Sequence, residues 1–257
     1  MANIGASRAA RGRIVFGVAW LHTRARLGLG SGKMIRFDFK RPCGVVSVWV
    51  DSVFDLSVIE ELYMHGEYAA ELGDARIVVD AGSNIGLAAI DFALRCPRAR
   101  IVAIEPDPTA LAKLVRNVRP FPQISLARVA LGASPGLRTF WSGPATWASG
   151  FSRTASHQAQ IVVPTKTLDQ VLIEAGISDD IDILKLDIEG AEREVLSSFT
   201  GLGGTRTVIG EVHEPPDSPA SREFFNFLRA AGFVVVVTHC SSSTQTFIAT
   251  NSLLLGL

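Results

Sequence analysis

Val78-Val79-Asp80-Ala81-Gly82-Ser83-Asn84-Ile85-Gly86-Leu87 is a strand that runs into a helix through a glycine-bearing turn headed by a carboxylate. Ile77 to Val79 is a short apolar, β-branched run, as expected of a parallel strand buried on both faces, and Asp80 follows at its C-terminal edge. Gly82 and Gly86 carry no Cβ, so the backbone is free to turn sharply and to let a ligand come close. Ile85 to Leu94 is apolar on nearly every side, which predicts a helix packed on a sheet, capped by Ser83 or Asn84 and limited by Pro97. The turn therefore joins the unpaired N–H groups of a helix start to a carboxylate, a place suited to a nucleoside cofactor.

Outward from this unit, short β-branched runs alternate with helical periods, which predicts an α/β fold with a mainly parallel sheet and helices on both faces. A second strand, Arg100 to Ile104, ends on Glu105, and Asp107 with Pro108 opens a helix that turns Leu111, Leu114, Val115 and Val118 inward. A third strand fits Ile124 to Leu131. Residues 132–166 read as a hairpin-like excursion carrying Trp141, Trp147 and Phe151, and a helix follows over Thr167 to Ala175 with Leu168, Val171 and Leu172 inward. The fourth strand is Ile181 to Asp187, the fifth Thr207 to His213, with a helix between them from about Ala191 to Phe199. After a helix over Ser221 to Ala231, strands at Phe233 to Val237 and Gln245 to Ala249 have no helix between them, so they are expected to pair antiparallel.

At 257 residues, 47% apolar and 19% charged, the chain is large enough for one α/β core, with residues 1–60 set apart as a basic extension, helical and then β, before a body over 61–257. Formal charge is zero overall, yet residues 1–41 hold nine of the 25 Lys and Arg and a single acid, Asp38. The remainder is net −8, a poor surface for nucleic acid. Cys43, Cys96 and Cys240 are scattered without metal spacing, which fits a reduced, cytoplasmic setting. The apolar run Ile14 to Leu21 falls short of the ~20 residues a bilayer crossing needs. A helix docked on the body is its first reading, and a peripheral contact with a membrane surface through the basic arm the second.

A dinucleotide turn of G-x-G-x-x-G form would place glycine at 84 and 87 after Gly82, where the chain has Asn84 and Leu87. Acid-x-Gly-x-Asn-x-Gly suits a cofactor without pyrophosphate. The Asp80 charge repels phosphate and attracts an ammonium or sulfonium, and S-adenosylmethionine offers both. Glu105 is placed to accept ribose hydroxyls, which either cofactor would supply.

Val78 to Gly86, Glu105-Pro106-Asp107-Pro108, Asn117, Leu184-Lys185-Leu186-Asp187-Ile188-Glu189-Gly190-Ala191-Glu192 and Glu211-Val212-His213 together resemble the FkbM-type methyltransferases over about residues 60–240. The resemblance implies a Rossmann-like, seven-stranded S-adenosylmethionine-dependent methyltransferase sheet of order 3-2-1-4-5-7-6 with the last strand antiparallel, and O-methylation of sugars, glycolipids or natural products. It also implies Asp80, Gly82, Ser83, Asn84, Gly86, Glu105 and Pro106 as cofactor residues. Asp187 and His213 end adjacent strands at the edge where open α/β sheets bind ligands, which makes them the catalytic candidates. His213, neutral near its ordinary pKa of about 6.5, is expected to act as base, with Glu211 orienting it. Asp187 and Glu189 suggest a divalent metal, but no third ligand is evident and no metal is expected. The alternatives are a non-catalytic scaffold that keeps the cofactor pocket and a nicotinamide-dependent oxidoreductase. Amino-group methylation of bases is disfavoured, because Asp187-Ile188-Glu189-Gly190 stands where a (D/N)-P-P-(Y/F) turn would be.

Overall fold

The computed structural model describes residues 5–29, 32–41, 44–60, 62, 73–142 and 159–255. Helix α1 (Arg8–Arg26) leads into a hairpin of β1 (Ile35–Arg41) and β2 (Gly44–Val50), then helix α2 (Val53–Glu60). The body follows as β3 (Ile77–Ala81), α3 (Leu87–Arg95), β4 (Arg100–Ile104), α4 (Pro108–Val118) and β5 (Ile124–Ala127). Next, β6 (Ala130–Leu131), β7 (Gly136–Ser142) and β8 (Ala159–Lys166) form a separate three-stranded sheet. The chain ends with α5 (Leu168–Glu174), β9 (Ile183–Leu186), α6 (Glu192–Ser198), β10 (Thr207–Val212), α7 (Pro219–Ala230), β11 (Phe233–Cys240), β12 (Gln245–Asn251) and the short α8 (Ser252–Leu255).

Seven strands make the main sheet, in the order β5-β4-β3-β9-β10-β12-β11. This is the expected 3-2-1-4-5-7-6 arrangement, with β12, the seventh strand, antiparallel to both neighbours. Because side chains alternate across a strand, each strand feeds two cores. Val78, Ile101, Ala103 and Ile183 pack with α3, α4 and the N-terminal elements, through Ile14, Phe37, Val48, Ile90 and Leu114. Val79, Ala81, Val102, Leu184 and Leu186 pack with Leu172 of α5, Val195 of α6 and Phe224 and Leu228 of α7 on the other face.

The N-terminal elements are tied to the body by polar contacts too. Lys113 of α4, 1% exposed, donates to Asp51 at 3.0 Å and Asp55 at 2.7 Å. Asn117, one turn on, accepts from Trp49 N and donates to Ile85 O in the glycine turn. A fully buried lysine needs such partners, since an unpaired charge in a core is costly.

Four local expectations are revised. Helix α3 starts at Leu87 rather than Ile85, and its N-cap is Gly86, with no side-chain cap. Ser83 is occupied elsewhere, its Oγ donating to Asp80 O at 2.7 Å. Val115 of α4 is 39% exposed; Lys113 and Asn117 are buried instead, because they have partners. The third strand divides after Ala127, and Ala130–Leu131 joins the smaller sheet. Trp141 lies in β7, whereas Trp147 and Phe151 fall outside the described residues. No helix among the described residues is long and apolar enough to cross a membrane.

Candidate active site

The site is built on the C-terminal tips of β3, β4, β9 and β10. Between β3 and α3 the turn is held by three backbone bonds: Gly82 N and Ser83 N both donate to Ile104 O, and Gly86 N donates to Ser83 O. Asn84 adopts φ 49°, a left-handed conformation that Asn tolerates better than most residues. Its N–H points to the tip of β4, where Glu105 Oε2 accepts it at 2.8 Å, while Glu105 Oε1 accepts from Asp107 N at 2.8 Å. Asp107 in turn caps α4 by accepting from Thr109 N. Pro106 lies between these two carboxylates, half-buried.

Glu105 is 5% exposed, and burial pushes its pKa up to about 7 against the two backbone hydrogen bonds that favour its charge. Each of its oxygens keeps a lone pair for a further donor. Asn84 Oδ1 is buried and has no hydrogen-bond partner among the described residues. A ligand carrying several hydroxyl or amino donors would satisfy both groups.

The glycines have a reason within the protein as well. A Cβ on Gly82, which sits at φ 77°, would lie 1.7 Å from Asp187 O, and one on Gly86 would lie 2.6 Å from Leu114 Cδ1. Gly82 lets the turn press against the end of β9, and Gly86 lets α3 approach α4. Both closures set the crevice wall.

Asp80 likewise has a partner within the protein. Its side chain is wholly buried, opposite Lys185 in the β3–β9 pairing, and Lys185 Nζ lies 3.3 Å from Asp80 Oδ1. The same ammonium donates to Gly82 O at 2.7 Å and lies 3.5 Å from Asp187 Oδ2. Burial works against the charge on Lys185, but Asp80 and Asp187 overcome it and raise its pKa. Lys185 is thus a countercharge for Asp80 inside the protein, while neither Asp80 carboxylate oxygen has a hydrogen-bond partner among the described residues. In the sequence Lys185 stands two residues before Asp187 on one strand face, with nothing nearby to mark it as the partner of Asp80.

At the tips of β9 and β10 the chain gathers four carboxylates around one imidazole. His213 Nε2 lies 3.3 Å from Glu189 Oε2, 3.7 Å from Asp187 Oδ1 and 3.9 Å from Glu211 Oε2. His213 Nδ1 lies 3.3 Å from Glu192 Oε1. Glu192 is 3% exposed and accepts from Ile188 N and Gly190 N, which holds the loop between β9 and α6 in a tight arch. Burial alone would lower the His213 pKa, but the Glu192 hydrogen bond and the charges of Asp187 and Glu189 push it up to about 10. Burial pushes Glu189 up to about 8, against the opposing pull of His213. His213 is therefore protonated at neutral pH in this arrangement, and the expectation of a neutral histidine base does not fit its surroundings. Glu192 was missed as part of the site; its place at a helix start, two residues past a glycine, was the available signal.

A family model described as the methyltransferase FkbM domain matches residues 80–235, which contain every one of these side chains. The chain belongs to the FkbM methyltransferase family. S-adenosylmethionine as methyl donor goes with that family. Among relatives, the AMB antimetabolite synthetase AmbE of Pseudomonas aeruginosa is 27% identical over 231 residues, 70% of this chain and 11% of AmbE. The 2-O-methyltransferase NoeI of Sinorhizobium fredii is 28% identical over 148 residues, 51% of this chain and 58% of NoeI. The chain thus spans under two thirds of either relative's length. The crystal structure of methyltransferase FkbM from Methylobacillus flagellatus shares the fold, with a TM-score of 0.51 at 14% identity, over 97% of this chain and 56% of that one.

Proposed function

We propose that this FkbM-family protein transfers a methyl group from S-adenosylmethionine to a hydroxyl of a sugar, glycolipid or other natural product. The observation that carries this reading is the bridge made by Lys185. One buried ammonium lies against Asp80 of the donor-side turn and Asp187 of the acceptor-side edge, 3.3 and 3.5 Å away. The two halves of the crevice are thereby held in one geometry.

S-adenosylmethionine supplies an electrophilic methyl group on a sulfonium, which an acceptor oxygen takes in a single displacement. Glu105 and Asn84 are the groups that hold the donor, through acceptor atoms already fixed by the backbone. Asp187, half-buried at the edge, takes the acceptor proton, with His213 Nε2 3.7 Å from its carboxylate. Fixing both reactants lowers such a barrier by roughly 7–11 kcal/mol in favourable cases. A placed base adds typically ~10²–10⁴-fold. NoeI, described as a 2-O-methyltransferase, supports oxygen as the acceptor atom.

Isothermal titration with S-adenosylhomocysteine, followed by incubation of S-adenosylmethionine with a panel of hydroxylated acceptors, tests this reading. Binding together with acceptor-dependent release of S-adenosylhomocysteine is expected. No binding at millimolar ligand would reject it.

Two further results are expected. Ribose hydroxyls donate to an ionised carboxylate, so donor binding requires Glu105 to lose the proton it holds below about pH 7. Affinity for S-adenosylhomocysteine should rise roughly tenfold or more from pH 5.5 to 8 and then level off. Glu105→Gln should bind weakly with little pH dependence; an equal slope in that variant would show that another group titrates. In the unliganded fold the sign is opposite. The folded state keeps a proton that the unfolded chain releases near 4.5, so Glu105 contributes falling stability as pH rises through that window. The second result concerns His213→Gln, which should cut turnover by roughly 10²-fold or more while leaving the Kd for S-adenosylhomocysteine within about threefold. Equal losses in both would remove His213 from the acceptor side.

A further inference from the structure

Helix α1 is docked on the body by one side only. Ala10, Ile14, Gly17 and Leu21 are its buried residues, with Ile14 and Leu21 in the core that holds Phe37 of β1. Gly17 fixes the rotation of the helix, because a Cβ there would lie 2.4 Å from a ring carbon of Phe37. With the inner face set, 3.6 residues per turn put Phe16, Trp20, Thr23 and Leu27 on the opposite side. Phe16 is 74% exposed, Trp20 47% and Leu27 67%. The row is continued past the helix end. Gly28, at φ 64°, donates its N–H to Ala25 O, and Leu29 N donates to Arg24 O, a Schellman arrangement that fixes the exposed Leu29 there.

Single exposed apolar side chains are ordinary on a protein surface, but a continuous row marks an interaction site. A groove of about 500 Å³ between α1 and α2 widens this one, with Val15, Ala19, Val53, Leu56 and Glu60 among its lining residues. The charges of α1 are all of one sign: Arg8, Arg11, Arg13, Arg24 and Arg26, with no Asp or Glu from Arg8 to Arg26. Helical spacing sets Arg13 and Arg24 along one side of the row and Arg8 and Arg26 along the other. Arg24 stands over the Trp20 ring at 6.0 Å from its centroid. Arg13 and Arg36 both pair with Asp38, at 2.6 and 2.7 Å, which leaves that group with one net positive charge.

We propose that the outer face of α1 docks on an anionic lipid bilayer, the helix lying in the headgroup plane with Phe16, Trp20 and Leu27 toward the acyl chains and the flanking arginines on lipid phosphates. Aromatic and aliphatic side chains between two lines of arginine suit that boundary, since guanidinium groups reach back to the headgroups while their stems stay apolar. Charge selects this occupant over a second copy of the chain. A twofold dimer through this patch would set arginine rows against each other, whereas anionic lipid complements them. The rest of the chain, net −8, is repelled by the same surface, which turns the α1 side toward it.

The test is co-sedimentation of the full chain with vesicles of phosphatidylcholine alone and with one third phosphatidylglycerol. Binding to the anionic vesicles is expected, weakened by added salt, with little binding to phosphatidylcholine. Phe16→Ser combined with Trp20→Ser should weaken it roughly tenfold or more. Arg8→Gln, Arg11→Gln and Arg26→Gln together should weaken it roughly 100-fold, about fivefold for each charge. Circular dichroism and thermal melts check that the variants fold. Trp20→Phe should still pellet but lose most of the blue shift in tryptophan emission that vesicles produce in the wild type. No binding of wild type to anionic vesicles overturns the proposal, as does undiminished binding by the folded Phe16→Ser, Trp20→Ser variant or an unchanged blue shift in Trp20→Phe. A dimer in sedimentation velocity that this double variant dissociates, without vesicle binding, gives the face to a second copy instead.

Discussion

Gly82→Ala is expected to destabilise this protein by roughly 2–5 kcal/mol and to abolish donor binding. The residue sits at φ 77°, where an L side chain costs ~1–2 kcal/mol. The new Cβ would also lie 1.7 Å from Asp187 O and 2.8 Å from Asp187 C. Both are backbone atoms, which have no rotamer to retreat into, so either the turn or the tip of β9 must move; overpacking of this kind adds ~1–3 kcal/mol. Out of a total stability of about 5–15 kcal/mol this is a large fraction. Gly190→Ala is the control: it has a similar φ of 98° but nothing within 4 Å of its missing Cβ. Only the conformational cost applies there. At about 2–4 °C per kcal/mol for a chain of this size, thermal melts should show a drop near 10 °C or more at Gly82 and a few degrees at Gly190. Equal drops would mean that contact with Asp187 does not control the turn.

Lys185→Met should cost about 3–5 kcal/mol, because it leaves the wholly buried Asp80 without its countercharge. It also removes the donor to Gly82 O. Adding Asp80→Asn to Lys185→Met should return part of that loss, since no uncompensated charge then remains. Urea denaturation of the two single variants and the double variant measures the coupling. If the double variant is as unstable as the sum of the singles, the pair is not a unit, and the link between donor and acceptor sides falls with it. Donor affinity and turnover should both suffer in folded Lys185→Met, because one ammonium serves Asp80 and Asp187 together.

These two residues show where sequence reading stops. Asp80 was legible as a carboxylate at a strand tip, and its charge suggested attraction for a sulfonium. The parallel register of β3 and β9 places it opposite Lys185, 105 positions later, so a countercharge lies inside the sheet. Gly82 was legible as a turn glycine, but the atom that requires it is the carbonyl of Asp187. His213 was expected to be neutral from its ordinary pKa. The protonated state follows from carboxylates on the β9–α6 loop and on β10 converging on one ring. Glu211, two residues away on one strand face, was the single member of that set evident from local spacing.

What the sequence determined by itself is the order of strands and helices, a mainly parallel sheet and the edge at which its acids gather, because apolar period, turn residues and caps act over a few neighbouring positions. What only the tertiary structure decided is which of those acids is neutralised, which accepts a backbone N–H and which faces the crevice. Those outcomes depend on burial and on partners brought from distant strands, and charge in a low-dielectric interior responds to both more strongly than to anything beside it in the chain.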